Sequence, residues 1–386
     1  MNKSKIIGLM SGTSLDGIDA VLVDIEKENS GKFNVKYIDM DSISFEPEVL
    51  DFIKLVVTPK KGTIEKLVYL NFVLGEHFAK AVLKLLDKTG LKREDVDLIS
   101  CSGLTVCNLP KRNNPLYPKA RMQIGELAII AERTGIDVVG DFRPGDVAAG
   151  GEGAPLIPFF DFHTFCSDEK NRLILNIGGI SNVTYLKASA GVEDVIAFDT
   201  GPGNMIINNY VSKITGSSQK FDRDGLLAKK GRVNKDLQKY LISNQFIYLK
   251  PPKSTGREEF GEKYLEEIIN FSRNFDLDEF DILATITHFT ADAIYKNCEL
   301  FLGPIDEIIM SGGGVYNKEI IRYLKNKFIN SKFYLTDDFN IPSKAKEAMG
   351  FALLGYSTKN KLFNNVPAAT GAMHPVVMGK LVCSSL

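Results

Sequence analysis

A chain of 386 residues is long enough for two domains, because a single hydrophobic core rarely grows past ~250–300 residues. Hydrophobic residues make up 44% and charged residues 25%, ordinary values for a globular protein in water. The net charge of −1 offers no general attraction to nucleic acid or an anionic membrane, and no stretch nears the ~18 apolar residues of a membrane span.

The chain opens on IIGLMSGTSLDGIDAVLVDI (6–25), two apolar runs around the polar turn MSGTSLDGID (10–19). The runs predict adjacent antiparallel strands. The turn offers hydroxyls (Ser11, Thr13, Ser14), glycine amides (Gly12, Gly17) and two carboxylates (Asp16, Asp19). Amides and hydroxyls suit phosphate oxygens and carboxylates suit an accompanying Mg²⁺, but the same residue types build an ordinary polar hairpin. FNVKYIDMDSISF (33–45) predicts a third strand. Apolar residues from Ile64 to Leu85 recur at helical spacing, and Gly90 is the stop signal. Strands are expected at 96–103 and 136–140, with a helix at 124–135 between them. GDFRPGDVAAGGEGAP (140–155) then reads as a glycine-rich loop supplying Asp141, Arg143, Asp146 and Glu152. Arg143 suits a bidentate clamp on a carboxylate or phosphate, so a ligand-facing loop is favoured over a domain-crossing linker with an ion pair.

RLILNIGGISNVTYL (172–186) repeats the outline of the opening: apolar run, Gly/Ser/Asn turn, apolar run. VIAFDTGPGN (195–204) follows as a strand reaching Asp199 and a glycine loop that feeds a helix from about Met205. A carboxylate in that position is the leading candidate for a catalytic base, since Asp199 stands too early to cap the helix. KSTGRE (253–258) reads equally as a phosphate-facing loop or as a helix start capped by Ser254 or Thr255. Helices are expected at 257–273 and 280–301. DEIIMSGGGVYN (306–317) is a strand entering a triple-glycine loop, and 343–358 a helix with Ala345, Ala348, Phe351, Ala352 and Leu354 on one side. By spacing alone, Glu347 falls on that helix's surface.

His77, His163, His288 and His374 show no metal-ligand spacing, and the five scattered cysteines form no CxxC pair. Reduced thiols and an N-terminal apolar run too short for a signal peptide together predict a cytoplasmic protein. GxGxxG after a strand, the Walker pattern and a GxSxG elbow are all absent from the sequence.

Two hairpins with similar turns, roughly 165 residues apart, resemble the layout of the actin-like ATPase superfamily. There two glycine turns clasp phosphates and a third glycine loop lies against the adenosine; here these are 11–19, 176–182 and 311–314. More specifically, MSGTSLDGID (10–19), GDFRPGDVAAGGEGAPLIP (140–158), LNIGGISNVT (175–184), FDTGPGN (198–204), PPKSTGRE (251–258) and SGGGVYN (311–317) resemble the anhydro-N-acetylmuramic acid kinase family. The resemblance implies an α/β fold of two actin-like (ribonuclease H-like) domains with a central nucleotide cleft. Domain I is expected at 1–139 plus 360–386 and domain II at 140–359. It further implies an ATP- and Mg²⁺-dependent enzyme, a homodimer, that opens 1,6-anhydro-N-acetylmuramic acid with water and phosphorylates the 6-oxygen in cell-wall recycling.

By motif, Gly12, Thr13, Ser14, Leu15, Asp16, Gly17, Ile18 and Asp19 form one ATP loop, with Asn176, Gly178, Gly179, Gly312, Gly313 and Gly314 completing the nucleotide site. Asp199 matches the family's catalytic aspartate, and Glu347 is implied to orient water or Mg²⁺, so that both are expected metal ligands. Ser102, Arg143, Glu152, Gly201 and Asn204 are the expected sugar contacts. One segment departs from the family pattern: CSGLT (101–105) stands where Cys-His-Gly-Gln-Thr is usual, Asn108 replaces a later His, and MQIGE (122–126) has Glu126 for an aspartate. That change keeps a kinase for a plain anhydro-sugar such as levoglucosan as the alternative, with a non-kinase actin-like ATPase behind it.

Overall fold

The computed structural model describes residues 3–385 apart from 13, 14, 16, 29–30, 59–60 and 110–115. The expectations for Thr13, Ser14 and Asp16 therefore lie outside the described residues. Two compact units divide the chain, Met1–Thr164 with Asn340–Leu386, and Phe165–Phe339.

The first unit is built on strands β1 (Ser4–Met10), β2 (Ile18–Lys27), β3 (Phe33–Ile43), β4 (Leu98–Cys101), β5 (Leu104–Leu109), β6 (Ala120–Ile124) and β7 (Val138–Gly140). Its main sheet runs C-terminal strand (Lys380–Val382), β7, β4, β1, β2, β3. β1–β2–β3 pair antiparallel, while β1–β4–β7 pair parallel. Side chains alternate across the sheet, so Ile7 and Leu9 of β1 join Leu70, Leu74, Phe78 and Val82 of the helix Ile64–Thr89 in one core. Gly8 faces the other way, onto the helix Lys346–Lys359. β3, at the edge, alternates partly buried with exposed residues through its first six positions.

In the second unit β8 (Arg172–Ile177), β9 (Ile180–Leu186), β10 (Ile196–Pro202), β11 (Glu307–Ser311) and β12 (Lys332–Leu335) form one sheet, ordered β10–β9–β8–β11–β12. Again three antiparallel strands are extended by two parallel ones. The helices Met205–Ile214 and Glu279–Phe301 bury Ile206, Val211, Ile286 and Phe289 in its core. Apart from the C-terminal strand, which adds antiparallel to β7, both units thus carry the same strand order and directions, the arrangement expected from the two hairpins.

The units part at 164/165 and 339/340, not at the anticipated 139/140 and 359/360. Packing explains the shift. A Cβ on Gly8 would come within 2.0 Å of the Ala348 carbonyl oxygen, and one on Gly355 within 2.5 Å of the Ser100 side chain, so the helix Lys346–Lys359 lies directly on β1 and β4. Gly350 in turn meets Ile157 and Phe160, which brings the 140–164 segment into the same unit. That helix is buried from Ala348 through Ser357 on every side, where spacing had suggested one apolar face. Arg143–Ala148 is helical, which corrects the reading of 140–155 as loop throughout.

Candidate active site

In the second unit the glycine turns gather at one end of the sheet. The β8–β9 turn at Gly178–Gly179 is tied to the loop after β10 by three main-chain bonds: Gly203 and Met205 donate to the Gly179 carbonyl at 2.9 and 3.1 Å, and Asn204 donates to Gly178 at 2.8 Å. Asn204 also donates Nδ2 to the Ile177 carbonyl at 3.3 Å. Behind the turn, Ser311 donates its hydroxyl to Asn176 Oδ1 at 3.4 Å, drawing the triple-glycine loop against β8. Gly312 takes φ +86°, and a Cβ there would meet Asn176 Oδ1 at 2.6 Å; Gly314 is packed as tightly on Ile177. Gly178, Gly179 and Gly313 differ. None is in the left-handed region, and a Cβ on any of them meets nothing closer than 3.4 Å. The fold does not need glycine at these three positions. A backbone left bare toward solvent suits the close approach of an anion to amides.

Asp199 sits in β10, paired opposite Asn182, where the ladder slips between Asp199 and Gly201. The extra residue is Thr200, buried, sharing a 2.6 Å hydroxyl–hydroxyl bond with Ser181, while its carbonyl accepts from Asn297 at 2.9 Å. Gly201 closes this bulge at φ +132°, where a side chain would be strained. Bulges re-aim side chains, and this one leaves the Asp199 carboxylate partly exposed. Its Oδ2 accepts the Thr255 amide at 2.8 Å, and its own amide donates to the Lys253 carbonyl at 3.1 Å. KSTGRE is thus a brace for Asp199. The cap of the next helix is Gly256, with no side-chain cap bond, which corrects the assignment of Ser254 or Thr255. Lys253 of KSTGRE turns inward. Its Nζ donates to the carbonyls of Phe246 and Ile247 at 2.8 and 3.0 Å and lies over the rings of Phe246, Phe301 and Phe198 at 4.7, 5.1 and 5.7 Å. Burial pushes its ammonium down to about 8, with the Asp199 charge opposing.

In the first unit, the β1–β2 turn folds back on itself. Leu15, at φ +61°, donates to the Gly12 carbonyl at 3.1 Å, and the Ser11 hydroxyl donates to the Gly17 carbonyl at 2.9 Å. Ile18 points its side chain into the core, leaving only its backbone to a ligand. Asp19 accepts from the Ser42 hydroxyl at 2.5 Å and pairs with Lys344 at 3.3 Å. Ser102 is buried; its hydroxyl donates to the Gly103 carbonyl at 2.9 Å and accepts the Ser11 amide at 3.3 Å, so both bonds hold the turn.

Arg143 is partly buried, with Nη1 donating to the Gly153 carbonyl at 2.8 Å and a buried Nε without a hydrogen-bond partner among the described residues. Burial pushes its guanidinium down to about 10, helped by Arg121 and opposed by Glu347 and Asp146. Asp146 organises this corner. It accepts from the Gly153 amide and the Thr370 hydroxyl at 2.7 Å and from Asn365 at 3.0 Å. Glu152 instead faces outward, paired with Lys119. Glu347 is partly buried in the first turn of the helix Lys346–Lys359, and so not the surface residue that spacing indicated. Burial raises its carboxyl, the Lys346 and Arg143 charges lower it, and Asp161 and Asp19 raise it further. Arg121 of β6 lies against Gly153 at this corner, and the β5–β6 hairpin that carries it has no clear period-2 signal in the sequence.

No group of three or more His, Cys, Asp or Glu among the described residues is placed to hold a metal ion. A Mg²⁺ bound chiefly by nucleotide phosphates needs only one or two protein carboxylates, and a partly exposed carboxylate such as Asp199 is chemically of that kind.

The comparisons with known proteins cover nearly all of the chain. A relative in Caldanaerobacter subterraneus subsp. tengcongensis, "Anhydro-N-acetylmuramic acid kinase", is 44% identical over 381 residues, covering 97% of this chain and 96% of its own. One of the same name in Clostridioides difficile is 39% identical, covering 97% of each. Among solved structures, the (R)-2-hydroxyglutaryl-CoA dehydratase component A of Acidaminococcus fermentans aligns at a TM-score of 0.47 and 14% identity, over 93% of this chain and 100% of that one. The family model described as anhydro-N-acetylmuramic acid kinase matches residues 4–384, and the chain belongs to that family of sugar kinases.

Proposed function

We propose that this protein is a cytoplasmic kinase that converts 1,6-anhydro-N-acetylmuramic acid, ATP and water into N-acetylmuramic acid 6-phosphate and ADP. One observation carries the site assignment: Asp199 is a partly exposed carboxylate oriented by a main-chain amide, beside glycines that the fold does not require. In this reading Asp199 takes a proton from water as the water oxygen bonds to the anomeric carbon. The bond from that carbon to the 6-oxygen breaks, and the freed oxygen attacks the γ-phosphorus as ADP leaves. Amides of 178–179 and 312–314, with the 12–19 turn, cradle the phosphates. Asp199 and Glu347 are the carboxylates proposed as ligands for Mg²⁺, which would supply charge neutralisation at the transferring phosphoryl group. Arg143, whose buried Nε has no hydrogen-bond partner among the described residues, is proposed to face the sugar, and the family motifs propose Gly201, Asn204 and the exposed Glu152 as further sugar contacts. A homodimer binding neither nucleic acid nor membrane completes the proposal, the near-zero net charge supporting the second part.

The test is coupled ADP release over a panel of anhydro-sugars. The muramic derivative is expected to give the highest kcat/KM, and Asp199→Asn to lower kcat by about 10²–10⁴-fold with ATP binding retained. Full turnover in Asp199→Asn would remove the base assignment. A second reading draws on Ser102 and Leu104, which replace an imidazole and an amide usual in the family. Equal or better rates on levoglucosan would favour it, and sugar-independent hydrolysis would favour a plain ATPase.

A further inference from the structure

Two main-chain bonds hold Asp199: its amide donates to the Lys253 carbonyl at 3.1 Å, and its Oδ2 accepts the Thr255 amide at 2.8 Å. Neither bond depends on a side chain of the 253–255 segment. What matters is that the segment stays in place, and Ser254, between the two contacts, is exposed. The inward anchor is Lys253. Its Nζ donates to the carbonyls of Phe246 and Ile247 in the short helix Gln245–Tyr248, the first of which also accepts the Leu249 amide at 3.2 Å. Three phenylalanine rings surround the same ammonium at 4.7–5.7 Å. Two of them, Phe198 and Phe246, are buried, and Phe198 directly precedes Asp199 in β10. The cage therefore holds the base's strand at Phe198 while the Lys253 main chain holds it at Asp199.

A methionine or leucine would fill an aromatic cage without the cost of taking a charge out of water. An ammonium adds two charge-assisted bonds to fixed carbonyls, and hence a defined position for the segment that carries it. We propose that Lys253 is the positioning residue of the catalytic base, its caged ammonium fixing the 253–255 main chain that aims the Asp199 carboxylate. This rests on the reading of Asp199 as general base.

The experiment uses the full chain and the anhydro-sugar that gives the fastest ADP release. Lys253→Met keeps the stem and removes the ammonium, and is expected to lower kcat about 10²-fold, the scale of a displacement near 1 Å, with KM for ATP within about twofold. Thr255→Pro deletes the amide donated to Asp199 while leaving the cage intact, and should reproduce the kcat loss. Lys253→Ala should recover kcat when ethylammonium is added, a readout that a merely structural lysine would not give; thermal melts run beside each variant. Wild-type kcat in Lys253→Met or in Thr255→Pro, or a rise in KM with kcat unchanged, would overturn the proposal. Asp199→Asn separates the two levels. If Asp199→Asn is inactive and Lys253→Met is fully active, only the positioning role fails; if Asp199→Asn is fully active, the base assignment fails and takes the positioning role with it.

Discussion

Lys346 and Glu347 stand side by side on one helical turn in opposite situations. Lys346 is fixed in a buried ion pair with Asp161 at 2.8 Å, the two side chains 5% and 3% exposed. Glu347 has no such fixed partner among the described residues, and burial raises its carboxyl. The pair anchors the turn that presents Glu347, much as the 253–255 brace presents Asp199. A buried pair adds little net stability over apolar packing, but breaking one half strands a charge. Asp161→Asn is therefore expected to cost about 3–5 kcal/mol. Asp161→Leu combined with Lys346→Met should recover most of it. Urea denaturation checks both, and an Asp161→Asn midpoint equal to wild type would show that the pair is not the anchor.

At the scale of elements, the helix Lys346–Lys359 owes its position to glycines rather than to an apolar stripe. Gly8 has an ordinary strand conformation, so its only requirement is the space that Ala348's carbonyl takes up. Gly8→Ala has nowhere to put a methyl without lifting the helix, and overpacking of this kind costs at least about 2 kcal/mol. It should also lower kcat, because Glu347 rides on that helix; a Gly8→Ala protein with unchanged denaturation midpoint and kcat would contradict the packing argument. The same element shows what a sequence conveys. The hairpins β1–β2 and β8–β9 were legible because apolar runs break at glycine turns, and the helix Ile64–Thr89 because its apolar residues recur and Gly90 ends it. A helix buried all round has no periodic contrast, so neither its unit nor the burial of Glu347 could be read from spacing. The glutamate was legible only through resemblance. Short elements such as Pro47–Val57 and the β5–β6 pair went unseen because their stability comes from tertiary contacts more than from pattern. Lys253 was quoted within a motif, but its partners come from Phe198, Phe246 and Phe301, and proximity of that kind is set by the fold alone.

Over the whole molecule, two units with the same strand order need not unfold as one, so a stability measurement has to be assigned to a unit. His163 supplies a label for the first. Its ring lies against Phe33, Phe159 and Phe162, with centroids at 4.6, 4.6 and 5.1 Å. Burial pushes its imidazole down to about 4, and the Lys27 charge adds to the effect. An unfolded histidine titrates near 6.5, so between about pH 6.5 and 4 the unfolded chain binds a proton that the folded chain refuses. Stability must then fall as the pH falls through that window, and the contribution is complete above it. Two to three pKa units correspond to about 3 kcal/mol at the acid end. His163→Phe keeps the aromatic packing and removes the proton site. Melting of the wild type and of His163→Phe, followed from pH 7.5 to 4.5, should therefore converge or cross as the wild type loses stability faster. The difference should be confined to the transition that also responds to Asp161→Asn, since both residues belong to the first unit. Parallel pH profiles for the two proteins would mean that the His163 ring accepts its proton in the folded state, and that the phenylalanine cluster opens well before the unit unfolds.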